Sequence, residues 1–192
     1  MRWLAALACA VLALAAAGPA AADDEALWTL LRAGGQVIML RHAGTDGTPG
    51  DPPGARFGDC ATQRNLTAKS REQARKIGEA LRARETPIGR VLSSPWCRCM
   101  ETAQLAFARA EPLFPLLGGP RDPASIDTRV RALRPMLGAV PVGGNLVLVT
   151  HAFTILDVTG ERAAEGEMVI FTPQGDDRFT LAGHLMAGGP PR

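Results

Sequence analysis

The chain has 192 residues with nearly balanced charge, 21 Lys and Arg against 19 Asp and Glu. That balance excludes the basic excess of a nucleic-acid binder, and 5% aromatic content without Tyr leaves no stacking platform for single strands. A hydrophobic fraction of 46% excludes wholesale disorder, and the length suits one core.

Residues 1–22 read as an address. Arg2 precedes an apolar run from Trp3 to Ala17, and Ala20 and Ala22 then make a small-x-small pattern before Asp23-Asp24-Glu25. This is the form of a secretory signal peptide, which leaves 23–192 as a single domain. The run is shorter than the roughly 20 residues of a membrane span, so no stable membrane anchor is expected. Cys9 stands too early in it to follow a usable lipoprotein signal. Export to the periplasm or the medium changes the reading of Cys60, Cys97 and Cys99. Three cysteines in an oxidising compartment imply one disulfide and one leftover thiol, with Cys60–Cys97 and Cys60–Cys99 both open. Cys97-x-Cys99 has no His or second Cys pair close by, so no metal is expected.

Leu27, Leu30 and Leu31, with Trp28, predict a short amphipathic helix ending at Gly34-Gly35. Val37 to Leu40 is a continuous apolar run, the mark of a strand buried on both faces, and it stops at Arg41-His42. Gly, Pro and Asp make Gly44 to Gly58 a loop. Thr67 caps a helix to about Arg84, with Ala74, Ile77, Ala80 and Leu81 at helical spacing. A second strand spans Ile88 to Ser93. Ser94-Pro95 reads as a cap followed by Pro at the first helical position, opening a helix through Phe107. Asp122-Pro123 repeats the device, and Pro135 is expected to kink or shorten the helix that follows. Asn145 to Thr150 is a third buried strand, ending at His151. Met168 to Phe171 and Arg178 to Met186 read as strands joined through Pro173–Asp177, an antiparallel hairpin at one sheet edge. Strands alternating with helices predict a three-layer α/β/α sandwich on a mainly parallel central sheet.

In open α/β sheets ligands bind beyond the carboxyl ends of the strands. Three predicted strands end in Arg41-His42, in Ser93-Ser94 leading to Arg98, and in Thr150-His151. A lone histidine after a strand is most often structural. Two of the three histidines in the chain at such ends, with two arginines, suit a phosphoryl group. Arg41 and Arg98 would fork onto its oxygens, the helix opening at Ser94-Pro95 would add backbone donors, and one histidine would attack phosphorus. His184 has no motif around it and reads as structural.

Leu40-Arg41-His42-Ala43 resembles the Arg-His-Gly signature of the histidine phosphatase superfamily, the phosphoglycerate mutase-like fold. Further segments resemble that family in its order: Asn65-Leu66-Thr67 with Arg71-Glu72-Gln73-Ala74, Ser93 to Arg98 with Glu101-Thr102-Ala103, and Val147 to His151. The chain departs from the pattern at Ala43 and Ser70, each standing where the family has Gly. The resemblance implies that His42 becomes a phosphohistidine while Arg41, Arg98 and His151 complete the phosphate pocket, without metal or other cofactor. It implies a phosphatase for a small-molecule or glycan phosphomonoester; the alternative is a phosphate-binding module that has lost turnover. Arg64 and Ser94 are candidate substrate contacts, with a plain surface position the alternative for Arg64. For the general acid the candidates are Glu111, Glu165 and Glu167. Cys60 and Cys97 resemble a secreted subgroup that includes a lipopolysaccharide-core heptose phosphatase. That likeness implies a Cys60–Cys97 bridge, with Cys99 free and buried.

Overall fold

The computed structural model describes residues 24–47 and 50–187; the expected signal peptide lies outside them. In chain order the elements are α1 (Asp24–Ala33), β1 (Val37–Arg41), α2 (Ala68–Ala83), β2 (Ile88–Ser93), α3 (Cys97–Phe107), β3 (Glu111–Pro112), α4 (Pro123–Gly138), β4 (Asn145–Thr150), α5 (Ala152–Thr159), β5 (Met168–Gly175) and β6 (Arg178–Leu185). The strands form one sheet in the order β3-β2-β4-β1-β5-β6. The pairs β3·β2, β2·β4 and β4·β1 are parallel, and β5 and β6 add an antiparallel edge.

Alternation along the buried strands feeds two cores. Ile38 and Leu40 of β1 pack with α1, α2 and α3 through Leu27, Ile77 and Ala103. Val37 and Met39 pack on the other face with Leu133 and Leu137 of α4 and Ile155 of α5. Helices thus cover both faces of the sheet, as expected. At Gly78 a Cβ would collide with the Ala106 backbone, so glycine is what lets α2 lie against α3. Thr67 caps α2 by accepting from Ser70 N, and Asp122 caps α4 by accepting from Ser125 N.

Four expectations need correction. The helix after β2 begins at Cys97 with Trp96 as its N-cap, two residues later than Ser94-Pro95 suggests; the Ser94 hydroxyl is shared between His151 Nε2 (2.9 Å) and Trp96 N (3.4 Å). Pro135 does not end α4, which continues to Gly138; the fully buried Leu133 and Leu137 on either side of it hold the turn. β5 runs through Pro173 to Gly175. Beyond Phe171 it pairs only with β6, so the missing N–H of Pro173 interrupts no second ladder. The turn itself is Asp176-Asp177, both at positive φ (49° and 59°), as a two-residue hairpin with the strands' own twist requires. Helix α5, directly after His151, is an addition to the expected elements.

Cys60 and Cys97 form the disulfide, and Cys99 is free and buried. With a sequence separation of 37 residues, the cross-link removes about 4 kcal/mol of unfolded-chain entropy. The Cys60→Ser, Cys97→Ser double variant is expected to lose about 2–4 kcal/mol of unfolding free energy, read from urea denaturation. An unchanged midpoint would show that the bridge adds nothing.

Candidate active site

Parallel pairing sets the site. Arg41 lies opposite Thr150 in the β1·β4 register, and beyond it His42 N donates to Thr150 O (3.0 Å). Ser94 N donates to Val149 O (2.9 Å) on the far side of β4. The carboxyl ends of β1, β4 and β2 therefore stand side by side. The His42 and His151 rings meet edge to face with centroids 5.4 Å apart, and both residues are buried.

Hydrogen bonds define both tautomers. His42 Nδ1 lies 2.8 Å from Ala43 O, and a carbonyl only accepts, so the proton sits on Nδ1 and the lone pair on Nε2. His151 Nδ1 is 3.5 Å from Arg98 Nη2 and its Nε2 is 2.9 Å from Ser94 Oγ. Arginine only donates, so His151 carries its proton on Nε2 and gives it to Ser94. Burial pushes the His42 imidazolium down to about 3, aided by Arg98, Arg41 and Arg64. Burial, and then Arg98, also hold His151 well below the usual histidine range. Both rings are neutral bases at physiological pH. His42 Nε2 therefore has the protonation state of a nucleophile without needing a partner to deprotonate it.

The arginines are arranged for an anion. Arg98 is only 5% exposed. The Nε atoms of both Arg41 and Arg98 are buried donors that meet no acceptor among the described residues. Arg41 otherwise donates to Ala163 O (2.9 Å) and pairs with Glu165 (3.3 Å). Arg64 is partly buried, and its charge depresses both imidazoles; it belongs to the site's field rather than to an open surface. Ser94 is buried and holds the His151 ring. The amides opening α3 are occupied: Trp96 N points to Ser94 Oγ (3.4 Å) and Cys97 N to Gln63 Oε1 (2.8 Å). The expected gift of backbone donors from Ser94-Pro95 is thus spent inside the protein.

The acid candidates diverge. Glu111 is exposed and bonded to Arg90 (2.7 Å). Glu167 is buried, accepts from Ala164 N (2.6 Å) and faces His184 Nδ1 (3.5 Å). Glu165 pairs with an arginine of the site, Arg41 (3.3 Å). Cys99 is buried beside His151 (Sγ to Nε2, 3.5 Å), and burial pushes its thiol up to about 12, so it is no nucleophile. Among the described residues there is no group of three His, Cys, Asp or Glu that could hold a metal ion.

Asp51 has no forewarning in the sequence, since it stands in a Gly- and Pro-rich loop without periodicity. Its Oδ1 accepts from Arg98 Nη1 (2.9 Å) and from Arg64 N (3.0 Å). An entering phosphate oxygen competes with this carboxylate for Arg98. Gln63 and Thr102 are further supports. Gln63 binds the α3 amide, and Thr102 Oγ1 accepts from Ala43 N (3.1 Å) while donating to Arg98 O (2.6 Å). Thr102 thereby ties the segment after His42 to the helix bearing Arg98.

The histidine phosphatase superfamily (branch 1) matches residues 37–117, which span β1 through β3. The product of a Mycobacterium tuberculosis open reading frame superposes with a TM-score of 0.58 at 18% identity, over 79% of this chain and 96% of that one. The protein histidine phosphatase SixA in complex with tungstate gives 0.54 at 18%, over 79% and 97%. An Entamoeba histolytica phosphoserine phosphatase mutant bound to phosphoserine gives 0.53 at 12%, over 80% and 98%. No curated protein matches the chain. The fold is that of the histidine phosphatases, and residues 37–117 carry the superfamily's sequence pattern.

Neutral burial of two imidazoles couples folding to pH. In the unfolded chain they protonate near pH 6.5, whereas folded His42 resists to about 3. Stability is thus full above pH 6.5 and falls toward pH 3, by at most about 1.4 kcal/mol per pH unit for each histidine. Urea unfolding at pH 7 and 5 is expected to show a steeper loss for the native sequence than for His42→Gln. Equal losses would contradict the neutral assignment.

Proposed function

We propose that this protein is an exported phosphoric monoester hydrolase that needs no metal ion and works through a phosphohistidine on His42. One observation carries the reading: a neutral His42 with its lone pair on Nε2, beside His151 and beneath buried guanidinium donors of Arg41 and Arg98. His42 Nε2 forms a bond to phosphorus as the bond to the ester oxygen breaks. Arg41 and Arg98 take up charge on the equatorial oxygens, joined by His151 once its Nε2 proton turns from Ser94 to the phosphate, and the leaving oxygen takes a proton from solvent. Water then attacks the phosphohistidine and releases inorganic phosphate and neutral His42. Esters with weakly basic leaving oxygens depart without a dedicated acid, which suits the exposure of Glu111 and the engagement of buried Glu167 with Ala164 N and His184.

The substrate on this reading is a small-molecule or glycan phosphomonoester; the phosphoserine bound by the Entamoeba relative supports the small-molecule class. The Cys60–Cys97 bridge and the pattern of residues 1–22 support a periplasmic or secreted location. The same bridge favours kinship with the secreted subgroup that contains the heptose phosphatase. No helix of the described residues is long and apolar enough to cross a membrane.

The test is hydrolysis of p-nitrophenyl phosphate by purified protein in excess chelator. The native sequence turns over, and His42→Ala falls by at least ~1,000-fold. Activity that survives the substitution removes His42 as the nucleophile. Phosphate binding that depends on Arg41 and Arg98, without hydrolysis of any ester, marks a binding module instead.

A further inference from the structure

Beside the phosphate pocket lies an open cleft of about 810 Å³, walled by Phe57, Trp96, Phe114 and Leu117 and floored by Gly118 and α4. Its volume falls within the range of small-molecule sites. Two contacts join it to the chemistry. The Arg98 guanidinium stacks on the Trp96 ring at 5.0 Å. A Cβ on Gly118 would come within 3.1 Å of the His151 ring, so the bare backbone at Gly118 lies directly against that histidine. Through Trp96 and Gly118 the cleft adjoins both Arg98 and His151, within reach of a leaving group on a phosphate held there.

The walls select what fits. Phe57 lies tilted against Trp96 (4.7 Å) and meets Phe114 edge-on (6.3 Å), yet Phe57 is 50% exposed and Phe114 63%. Two aromatic rings left that bare on one concave surface mark a site for apolar contact. The disulfide fixes the wall, because Cys60 follows Phe57 by three residues and Cys97 follows Trp96 directly. Several polar side chains along the cleft are engaged within the protein. Thr128 Oγ1 donates to Ala124 O (2.9 Å), Ser125 bonds Asp122, and buried Arg129 binds Asp157 and Pro120 O. A polyol or sugar lodged there would regain fewer hydrogen bonds from these side chains than it gives up to water.

We propose that this cleft is the leaving-group subsite and that the substrates are phosphomonoesters of apolar, ring-bearing alcohols or phenols. The proposal rests on the hydrolase reading and narrows it, setting sugar phosphates aside. Phenyl and 2-naphthyl phosphate test it, since their leaving oxygens have similar basicity and differ mainly in apolar area. With the native sequence, kcat/KM for the naphthyl ester is expected to exceed that for the phenyl ester by at least about tenfold. Phe57→Ala and Phe114→Ala pull the ratio toward one, chiefly through KM, while inhibition by inorganic phosphate stays constant. Kd values for both esters on the His42→Ala protein repeat the comparison without turnover, so it holds even if hydrolysis fails. Equal values for the two esters would overturn the proposal, as would a ratio untouched by either Phe variant. A hexose phosphate with the higher kcat/KM, despite its more basic leaving oxygen, would overturn it too.

Discussion

The parallel pairing of β1 with β4, in the register that sets Arg41 opposite Thr150, is the constraint on which the site depends. It places two histidines more than a hundred residues apart at neighbouring strand ends, with rings in contact. A slip of one residue would turn one ring to the other face of the sheet. The register is held by uniformly buried strands whose side chains are claimed by different helices on each face. Core packing therefore aligns the two histidines, and no contact between the rings themselves has to do so.

That alignment produces an electrostatic tension which the surroundings resolve. Three arginines gather around two imidazoles, and burial with that positive field keeps both rings neutral. A neutral His42 keeps a free lone pair on Nε2, and the same arginines favour an anion beside it. Asp51 balances Arg98 from the loop, and Cys60–Cys97 fastens that region of chain to the helix bearing Arg98. The bridge thus acts on three things together: the stability of the fold, the seat of the arginine, and the aromatic wall beside it.

Much of this was legible in the sequence because it rests on short-range patterns. Unbroken apolar runs reveal buried strands, and Arg41-His42, Arg98 and His151 stand at their ends. Thr67 and Asp122 are caps readable from residue type alone. What was not legible depends on competition or on distance. Ser94 could cap a helix or hold His151, and in the fold its hydroxyl meets both the ring and Trp96 N while α3 starts two residues later. Pro135 sits between leucines whose burial outweighs a lost hydrogen bond. Asp51, Phe57 and Gly118 lie in loops without periodicity, so their arrival beside Arg98, Trp96 and His151 has no local signal. Glu111 and Glu167 could be weighed only as carboxylates, until their partners Arg90 and His184 were in view.

The central claim is a covalent intermediate at one atom. The direct measurement is to quench the protein into strong alkali during turnover of an aryl phosphate and locate the bound phosphate by peptide mass spectrometry. Phosphate is predicted on His42, absent from the His42→Ala protein, and accumulating at the rate of the first chemical step. Turnover with His42 unmodified, or phosphate found on His151 or Cys99, would contradict the account.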